Sequence, residues 1–329
     1  MIDIKTKLYQ MFILGLEGGG YVNAQKKGLG GVIFFTNDIK SESQFKNLIK
    51  KIKSESLIPP FLSVDQEGGR VERTENIHCG KKYLSAKYAY EKGEKFLAEQ
   101  TLQIAQELKS YGINLNFAPC IDTNTNPNNP IIGERAFSSN PEDVIKCENI
   151  VSNIYRHCGI IPCAKHYPGH GDANSDSHLT LPKIDLTIEE MEQTHIKPFK
   201  YAIQNGIEMI MAAHLHCTCF EKEPIPTSLS KNALSYLRNN LNFRGVIISD
   251  DMIMKGVEGL GKVQSCIMGI KAGLNMFIYR NSYPEIINII ENIYNAALND
   301  KDLQDKIEQS YNKISDLKSR YKFSSFNIY

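Results

Sequence analysis

Eight short apolar runs punctuate the chain: MFILGL (11–16), GVIFF (31–35), PFLSV (60–64), INLNFAP (113–119), IIPCAKH (160–166), EMIMAAH (208–214), GVIISD (245–250) and LNMFIY (274–279). Between most of them lie longer stretches with helical spacing. Phe45, Leu48, Ile49 and Ile52 form one such set, and Leu97, Leu102, Ile104, Ala105 and Leu108 another. A strand that reads as a continuous apolar run is buried on both faces, as in a parallel sheet covered by helices. Eight units in series predict an α/β fold, a (β/α)8 TIM-type barrel. A doubly wound open sheet is the other arrangement the pattern allows.

Residues 284–320 read as helix. Ile286, Ile287, Ile290, Ile293 and Ala297 share one spacing, and Ile307, Tyr311, Ile314 and Leu317 share another. Asn299-Asp300 interrupts them. These helices are expected to pack on the barrel. No Pro/Ser-rich linker or low-complexity segment divides the chain, so residues 1–329 are expected to form a single catalytic domain.

The polar clusters fall where a barrel needs them. VDQEGGR follows PFLS, KHYPGHGD follows IIPCA, HLH follows MIMAA, and SDD follows GVII. Each stands at the C-terminal end of a predicted strand, and in a barrel those ends form the catalytic face.

Composition narrows the function classes without choosing one. The formal charge of +1, with no basic run, gives no argument for nucleic acid or an anionic membrane surface. The apolar run at 11–16 is short for a signal peptide and far too short to span a bilayer. The expectation is a cytoplasmic protein acting on a small-molecule substrate, with neither nucleic acid nor membrane as partner. Its 8 scattered cysteines then read as reduced thiols.

Four constellations carry candidate chemistry. In Ser249-Asp250-Asp251, strand neighbours point to opposite sides, so one carboxylate can face the mouth. Such a group suits a nucleophile, a metal ligand or a base, although both acids could merely cap the next helix. In residues 64–73, Asp65 ends a strand, Gly68-Gly69 permits a sharp turn, and Arg70 and Arg73 follow. Mixed acceptors and donors at a mouth suit a hydroxyl-rich ligand; a surface turn with a solvated ion pair is the plainer reading. The glycines match neither a Walker nor a Rossmann pattern. Gly133–Phe137 lies in a long loop after DTNTNPNNP (122–130), and Arg135 is its candidate donor.

The fourth is KHYPGHGDANSDSHL (165–179), which holds three of the chain's 8 histidines and two aspartates. Gly169 and Gly171 predict a flexible, hinge-like stretch from Pro168 to Gly171. Asp176 and His178, one residue apart, suit a proton-transfer pair in which the carboxylate fixes the imidazole tautomer. The competing reading is a metal site drawn from His166, His170, Asp172, Asp176, His178, His214, His216, Cys217 and Cys219. Against it, Pro168-Gly169 prevents a helical His166/His170 pair, and no H-E-x-x-H, C-x-x-C or EF-hand pattern occurs.

Taken together, KHYPGHGDANSDSH, VDQEGGRVER, GERAF and GVIISDDMIM resemble the NagZ-type β-N-acetylglucosaminidases of glycoside hydrolase family 3. The motifs run in family order over about residues 30 to 260. The resemblance implies a (β/α)8 barrel that needs no metal or organic cofactor. It implies Asp250 as nucleophile, His178 as general acid/base and Asp176 as that histidine's partner. It implies that Asp65, Arg73, Arg135, Lys165 and His166 hold the sugar. It further implies removal of terminal β-1,4-linked GlcNAc from 1,6-anhydro-muropeptides in cell-wall recycling. A β-glucosidase, a β-glycoside phosphorylase, a sugar-binding protein without turnover and, more remotely, a metal-dependent hydrolase are the alternatives. The His214–Cys219 stretch is richer in His and Cys than the family pattern, and is expected to stay clear of the catalytic matches.

Overall fold

In the computed structural model, which describes residues 2–78, 82–173 and 181–323, each predicted apolar run contributes one strand of a closed barrel. In chain order the strands are β1 (Phe12–Gly15), β2 (Gly31–Phe34), β3 (Phe61–Val64), β4 (Leu115–Asn116), β5 (Ile161–Tyr167), β6 (Lys183–Ile184), β7 (Met209–Ala212), β8 (His216–Cys217), β9 (Val246–Asp251) and β10 (Met276–Tyr279). The barrel runs β1-β2-β3-β4-β5-β7-β9-β10 with every pair parallel. It closes where Phe12 of β1 registers with Phe277 of β10. β6 and β8 form a separate two-stranded sheet, which the apolar pattern did not predict because each strand is only two residues long.

The helices begin where small polar side chains satisfy free N–H groups. Ser41 Oγ accepts from Gln44 N ahead of the helix Glu42–Glu55, which buries Phe45, Ile49 and Ile52 on one stripe. Asn140 caps Pro141–His157. Asp300, half of the predicted break, accepts from Leu303 N and starts the final helix Lys301–Arg320. Leu102 departs from its predicted face and is exposed.

Two strands carry an extra residue at the C-terminal end. Between β5 and β7, Ala164 pairs Ile210 and Tyr167 pairs Ala212, so three steps on β5 oppose two on β7. Between β9 and β10, Ile248 pairs Met276 and Asp251 pairs Ile278, again three steps against two. A bulge of this kind re-aims the side chains it carries. The extra residues fall at 165–166 and 249–250, where Lys165, His166 and Asp250 stand.

The opposite end is plugged by the final helix. Buried Lys318 donates to Gln10 Oε1 at 2.8 Å and to the Gly30 carbonyl at 3.0 Å, with Nζ 4.8 Å from the Phe61 ring centroid. Ile307, Ile314 and Leu317 of the same helix are buried in the core. No helix among the described residues is long and apolar enough to cross a membrane.

Candidate active site

The site begins with a part-buried chain of alternating charges across β3, β4 and β5. Lys165 Nζ donates to Asp65 Oδ1 at 2.8 Å and lies 2.6 Å from Glu67 Oε1. Arg135 grips the same Glu67 with two parallel bonds, Nε to Oε2 at 2.9 Å and Nη2 to Oε1 at 2.8 Å. Arg135 Nη2 also sits 3.3 Å from His166 Nε2, and His166 Nδ1 lies 2.7 Å from Asp122 Oδ2. The two contacts fix one arrangement of the imidazole. Nδ1–H donates to Asp122, and Nε2 accepts from Arg135.

Electrostatics hold these groups in their charged forms. Burial alone would raise the Glu67 carboxyl, but Arg135 and Lys165 outweigh it and keep it well below the usual range. Burial alone would lower the Lys165 ammonium, but Asp65 and Glu67 hold it above the ordinary lysine value. Asp122 is fully buried, yet the His166 ring N–H, the nearby His170 and the backbone N–H of His170 keep its carboxyl far below normal. Fixed charges at the mouth suit a ligand with many hydroxyls, because donors and acceptors alternate without reorganising.

Asp250 ends β9 on the far side of the mouth. Burial would raise its carboxyl, but His166 and His214 where protonated, the N–H of Asp251, 2.7 Å from Oδ1, and the Lys165 ammonium bring it below the usual value. Burial also pushes His214 toward its neutral form, so at neutral pH the lasting support comes from Lys165 and the amide. The direction stands either way: the surroundings of Asp250 favour its ionised form. Its neighbour Asp251 turns elsewhere, pairing with Arg280 at 2.8 Å and accepting from Ile253 N at 3.2 Å. The two acids therefore part: Asp250 lies among the charges of the mouth, and Asp251 caps a turn.

The structure thus brings together Asp65, Arg135, Lys165, His166 and Asp250. Arg73 belongs to a neighbouring part of the rim, outside the charge chain. Its N–H bonds Gln66 Oε1 at 2.7 Å, its guanidinium bonds the Glu72 carbonyl at 3.2 Å, and it lies 5.7 Å from the Phe35 ring centroid. Asp176 and His178 lie outside the described residues. Glu67 and Asp122 went unassigned in the sequence. Each stands three residues past a predicted strand, and that position was the available signal.

One expectation needs correction. Pro168–Gly171 is not hinge-like. A Cβ on Gly171 would lie 1.7 Å from the Thr123 carbonyl oxygen, and one on Gly169 would lie 2.6 Å from His195 Cβ. His170 N donates to Asp122 Oδ1 at 2.6 Å, Asn129 Nδ2 to the His170 carbonyl at 2.8 Å, and Asn126 N to the Gly171 carbonyl at 3.2 Å. The glycines permit close packing, and the Asn-rich loop supplies the bonds. His170 is buried with neither ring nitrogen partnered among the described residues, and burial lowers it to about 4. His214, although bonded to Ser228, is near enough to Asp250 for each to influence the other's charge.

The His/Cys-rich stretch itself does not converge. His214 Nδ1 lies 2.7 Å from Ser228 Oγ, and His216 Nε2 bonds the Glu221 carbonyl at 2.8 Å. The donors that do gather among the described residues are Cys120, Asp122 and His166, within 4.8 Å of one another. They fit a metal poorly. His166 Nδ1–H already bonds Asp122, and its Nε2 faces the Arg135 guanidinium.

A barrel with this mouth has known relatives. The profile described as "Glycosyl hydrolase family 3 N terminal domain" matches residues 6–316. The chain belongs to glycosyl hydrolase family 3. It is 32% identical over 271 residues to a protein named beta-hexosaminidase from Tolumonas auensis, covering 81% of this chain and 80% of that one. It is 29% identical over 328 residues to "Beta-hexosaminidase A" of Pseudoalteromonas piscicida, covering 91% of this chain but only 55% of that longer protein. Among solved structures, a family 3 β-N-acetylglucosaminidase from Paenibacillus sp. str. FPU-7 superposes with a TM-score of 0.91 at 28% identity, over 98% of this chain and 63% of the other. The likenesses support an enzyme of the β-hexosaminidase kind.

Proposed function

We propose that this family 3 hydrolase is a retaining exo-β-N-acetylglucosaminidase. In this reading it releases terminal β-1,4-linked GlcNAc from peptidoglycan fragments, the 1,6-anhydro-muropeptides of cytoplasmic cell-wall recycling, on one barrel domain that takes in the two C-terminal helices. The observation that carries it is Asp250, a carboxylate kept ionised by its surroundings at the end of a bulged strand, facing a preformed chain of donors and acceptors.

The roles follow from that arrangement. Asp65, Lys165, Arg135 and His166 grip the sugar hydroxyls, with Arg73 at the adjacent rim. Asp250 attacks the anomeric carbon, the bond to the leaving oxygen breaks, and a glycosyl ester forms. His178, oriented by Asp176, gives its proton to the leaving oxygen and then takes one from the incoming water. The water oxygen bonds the anomeric carbon and Asp250 departs as carboxylate. A histidine acid works near neutral pH without deep burial. Its segment is bounded by fixed points: Asn126 Nδ2 holds the Ala173 carbonyl on one side, and His216 N holds the Pro182 carbonyl on the other.

The test is turnover of nitrophenyl β-GlcNAc and nitrophenyl β-glucoside, with and without phosphate and with a chelator. The expected result is hydrolysis of the GlcNAc substrate, indifferent to phosphate and chelator and abolished in Asp250→Ala. Preference for glucoside, dependence on phosphate or loss on chelation would each overturn the reading.

A further inference from the structure

Pairing between β3 and β4 ends where Val64 registers with Asn116 and Phe117 N donates to the Val64 carbonyl at 2.9 Å. Just past that point the Asn116 side chain substitutes for a strand. Its Oδ1 accepts from Gln66 N at 2.9 Å, and its Nδ2 donates to the Gln66 carbonyl at 2.9 Å and to the Tyr155 hydroxyl at 3.1 Å. Asn116 and Gln66 are both buried. The backbone of Gln66, which stands between Asp65 and Glu67 of the charge chain, is therefore held at both of its polar groups.

From that fixed point the Gln66 side chain spans the loop that follows. Its Oε1 accepts from Arg73 N at 2.7 Å and from Thr74 N at 3.3 Å. Two N–H donors settle which way the amide faces, since only its oxygen can accept them. The near part of the loop has its own ties, from Glu67 N and Gly68 N to the Val71 carbonyl at 2.9 and 3.2 Å. Past Val71, the N–H groups of Arg73 and Thr74 depend on Gln66, and the Glu72 carbonyl has only a long contact of 3.4 Å from Thr36 Oγ1 to tie it to β2. Arg73 does little to hold itself. Its Nη1 bonds the carbonyl of the residue before it at 3.2 Å, its guanidinium lies 5.7 Å from the Phe35 ring centroid, and among the described residues no carboxylate pairs with it. The place of that guanidinium is set by the backbone that carries it, and that backbone is set by Gln66.

We propose that Gln66 is a positioning residue, which sets Arg73 at a fixed distance from Asp65 and so shapes the grip on the sugar without touching it. This rests on the hydrolase reading above, in which Asp65 and Arg73 hold the sugar. A neutral amide suits the task, because it links the two groups without adding a charge beside Asp65 and Glu67. A group that grips the sugar equally before and during the reaction acts on KM, so misplacing it weakens binding and leaves the chemical step alone.

The test is a double-mutant cycle between Gln66→Met and Arg73→Ala. It is read as kcat and KM on nitrophenyl β-GlcNAc and, separately, as affinity for free GlcNAc by calorimetry. Methionine fills the space of glutamine and offers the two N–H groups no comparable acceptor. The expected result is that Gln66→Met raises KM about fivefold or more and weakens GlcNAc binding in proportion, with kcat within about twofold of wild type. In the Arg73→Ala background the same change costs less than about twofold, because the group that Gln66 positions is gone. Gln66→Asn keeps the amide but shortens its reach by one methylene; it gives the same pattern in smaller measure and carries the cycle if Gln66→Met does not fold. Losses that multiply in the double variant, a fall in kcat with KM unchanged, or an Arg73→Ala variant that binds as wild type does would each overturn the proposal. Wild type that binds GlcNAc without turnover overturns the hydrolase reading alone, and the cycle is then read from affinity. Wild type that neither binds nor turns over overturns both.

Discussion

Asp122 holds His166 twice, with Oδ2 2.7 Å from Nδ1 and Oδ1 3.2 Å from the backbone nitrogen. The same Oδ1 accepts from His170 N at 2.6 Å. One buried carboxylate thus fixes both the ring of a residue proposed to grip the sugar and the course of the chain beyond it. In Asp122→Asn an amide N–H would have to face one of these donors. Partners that orient a functional histidine affect activity by about 10–100-fold when removed. We expect kcat/KM to fall within that range, with KM rising more than kcat falls. An unchanged KM would show that His166 does not need this support.

Glu67 lies between two cations, Arg135 and Lys165, and all three are nearly inaccessible to solvent. Glu67→Gln leaves those cations facing a neutral amide. Breaking a buried pair by removing one partner costs about 3–5 kcal/mol. The expected outcome is a lower urea midpoint with an unchanged m-value at pH 7. Because Glu67 and Asp122 are both held below their ordinary values, their contribution is fully present above the unfolded pKa values. It fades as pH falls below about 4, where the unfolded chain binds protons that the folded one refuses. Wild type should therefore lose stability on acidification faster than Glu67→Gln does. Parallel losses in the two would remove Glu67 from this account.

Much of this was legible in the chain. A parallel barrel strand is buried on both faces, so it is apolar throughout and stands out; that exposed all eight, including β4, of which only Leu115 and Asn116 keep regular pairing. The acids and bases of the mouth were visible because they interrupt apolar runs at one end. What could not be read was which charges meet. Glu67 finds Arg135 across 68 residues and Asp122 finds His166 across 44, distances on which local periodicity says nothing. The bulges at 165–166 and 249–250 are equally silent in sequence, since they depend on the neighbouring strand. Gly171 misled for a related reason: a glycine that allows freedom and one that allows contact have the same letter.

That last distinction can be measured. With a Cβ only 1.7 Å from the Thr123 carbonyl oxygen, Gly171→Ala must displace backbone. A cost of about 1–3 kcal/mol is expected, as for overpacking, together with a loss of activity. Gly259→Ala is the comparison, because a Cβ there meets nothing within 4 Å. It should fall within about 0.5 kcal/mol of wild type. If Gly171→Ala keeps full stability and activity, the segment has the freedom its glycines first suggested.

Lys318 offers a pH test at the other end of the barrel. Burial lowers its ammonium to about 7, while its two carbonyl acceptors and the Phe61 face favour the charged form. The two influences oppose each other, and burial is the larger because no carboxylate compensates it. The unfolded chain then holds this proton up to its ordinary value near 10.5, whereas the folded chain releases it from about 7. Stability gains from this group as pH rises through that window and is penalised in full below it. A tenfold change in proton affinity is worth about 1.4 kcal/mol, so even a third of the difference exceeds about 1 kcal/mol. Lys318→Met carries no charge to bury, but leaves Gln10 Oε1 and the Gly30 carbonyl without this donor at every pH. Its stability relative to wild type should therefore be more favourable at pH 6 than at pH 9, read from urea midpoints. An equal difference at both pH values would mean that the plug stays charged throughout, with the carbonyls and the ring face sufficient to solvate it.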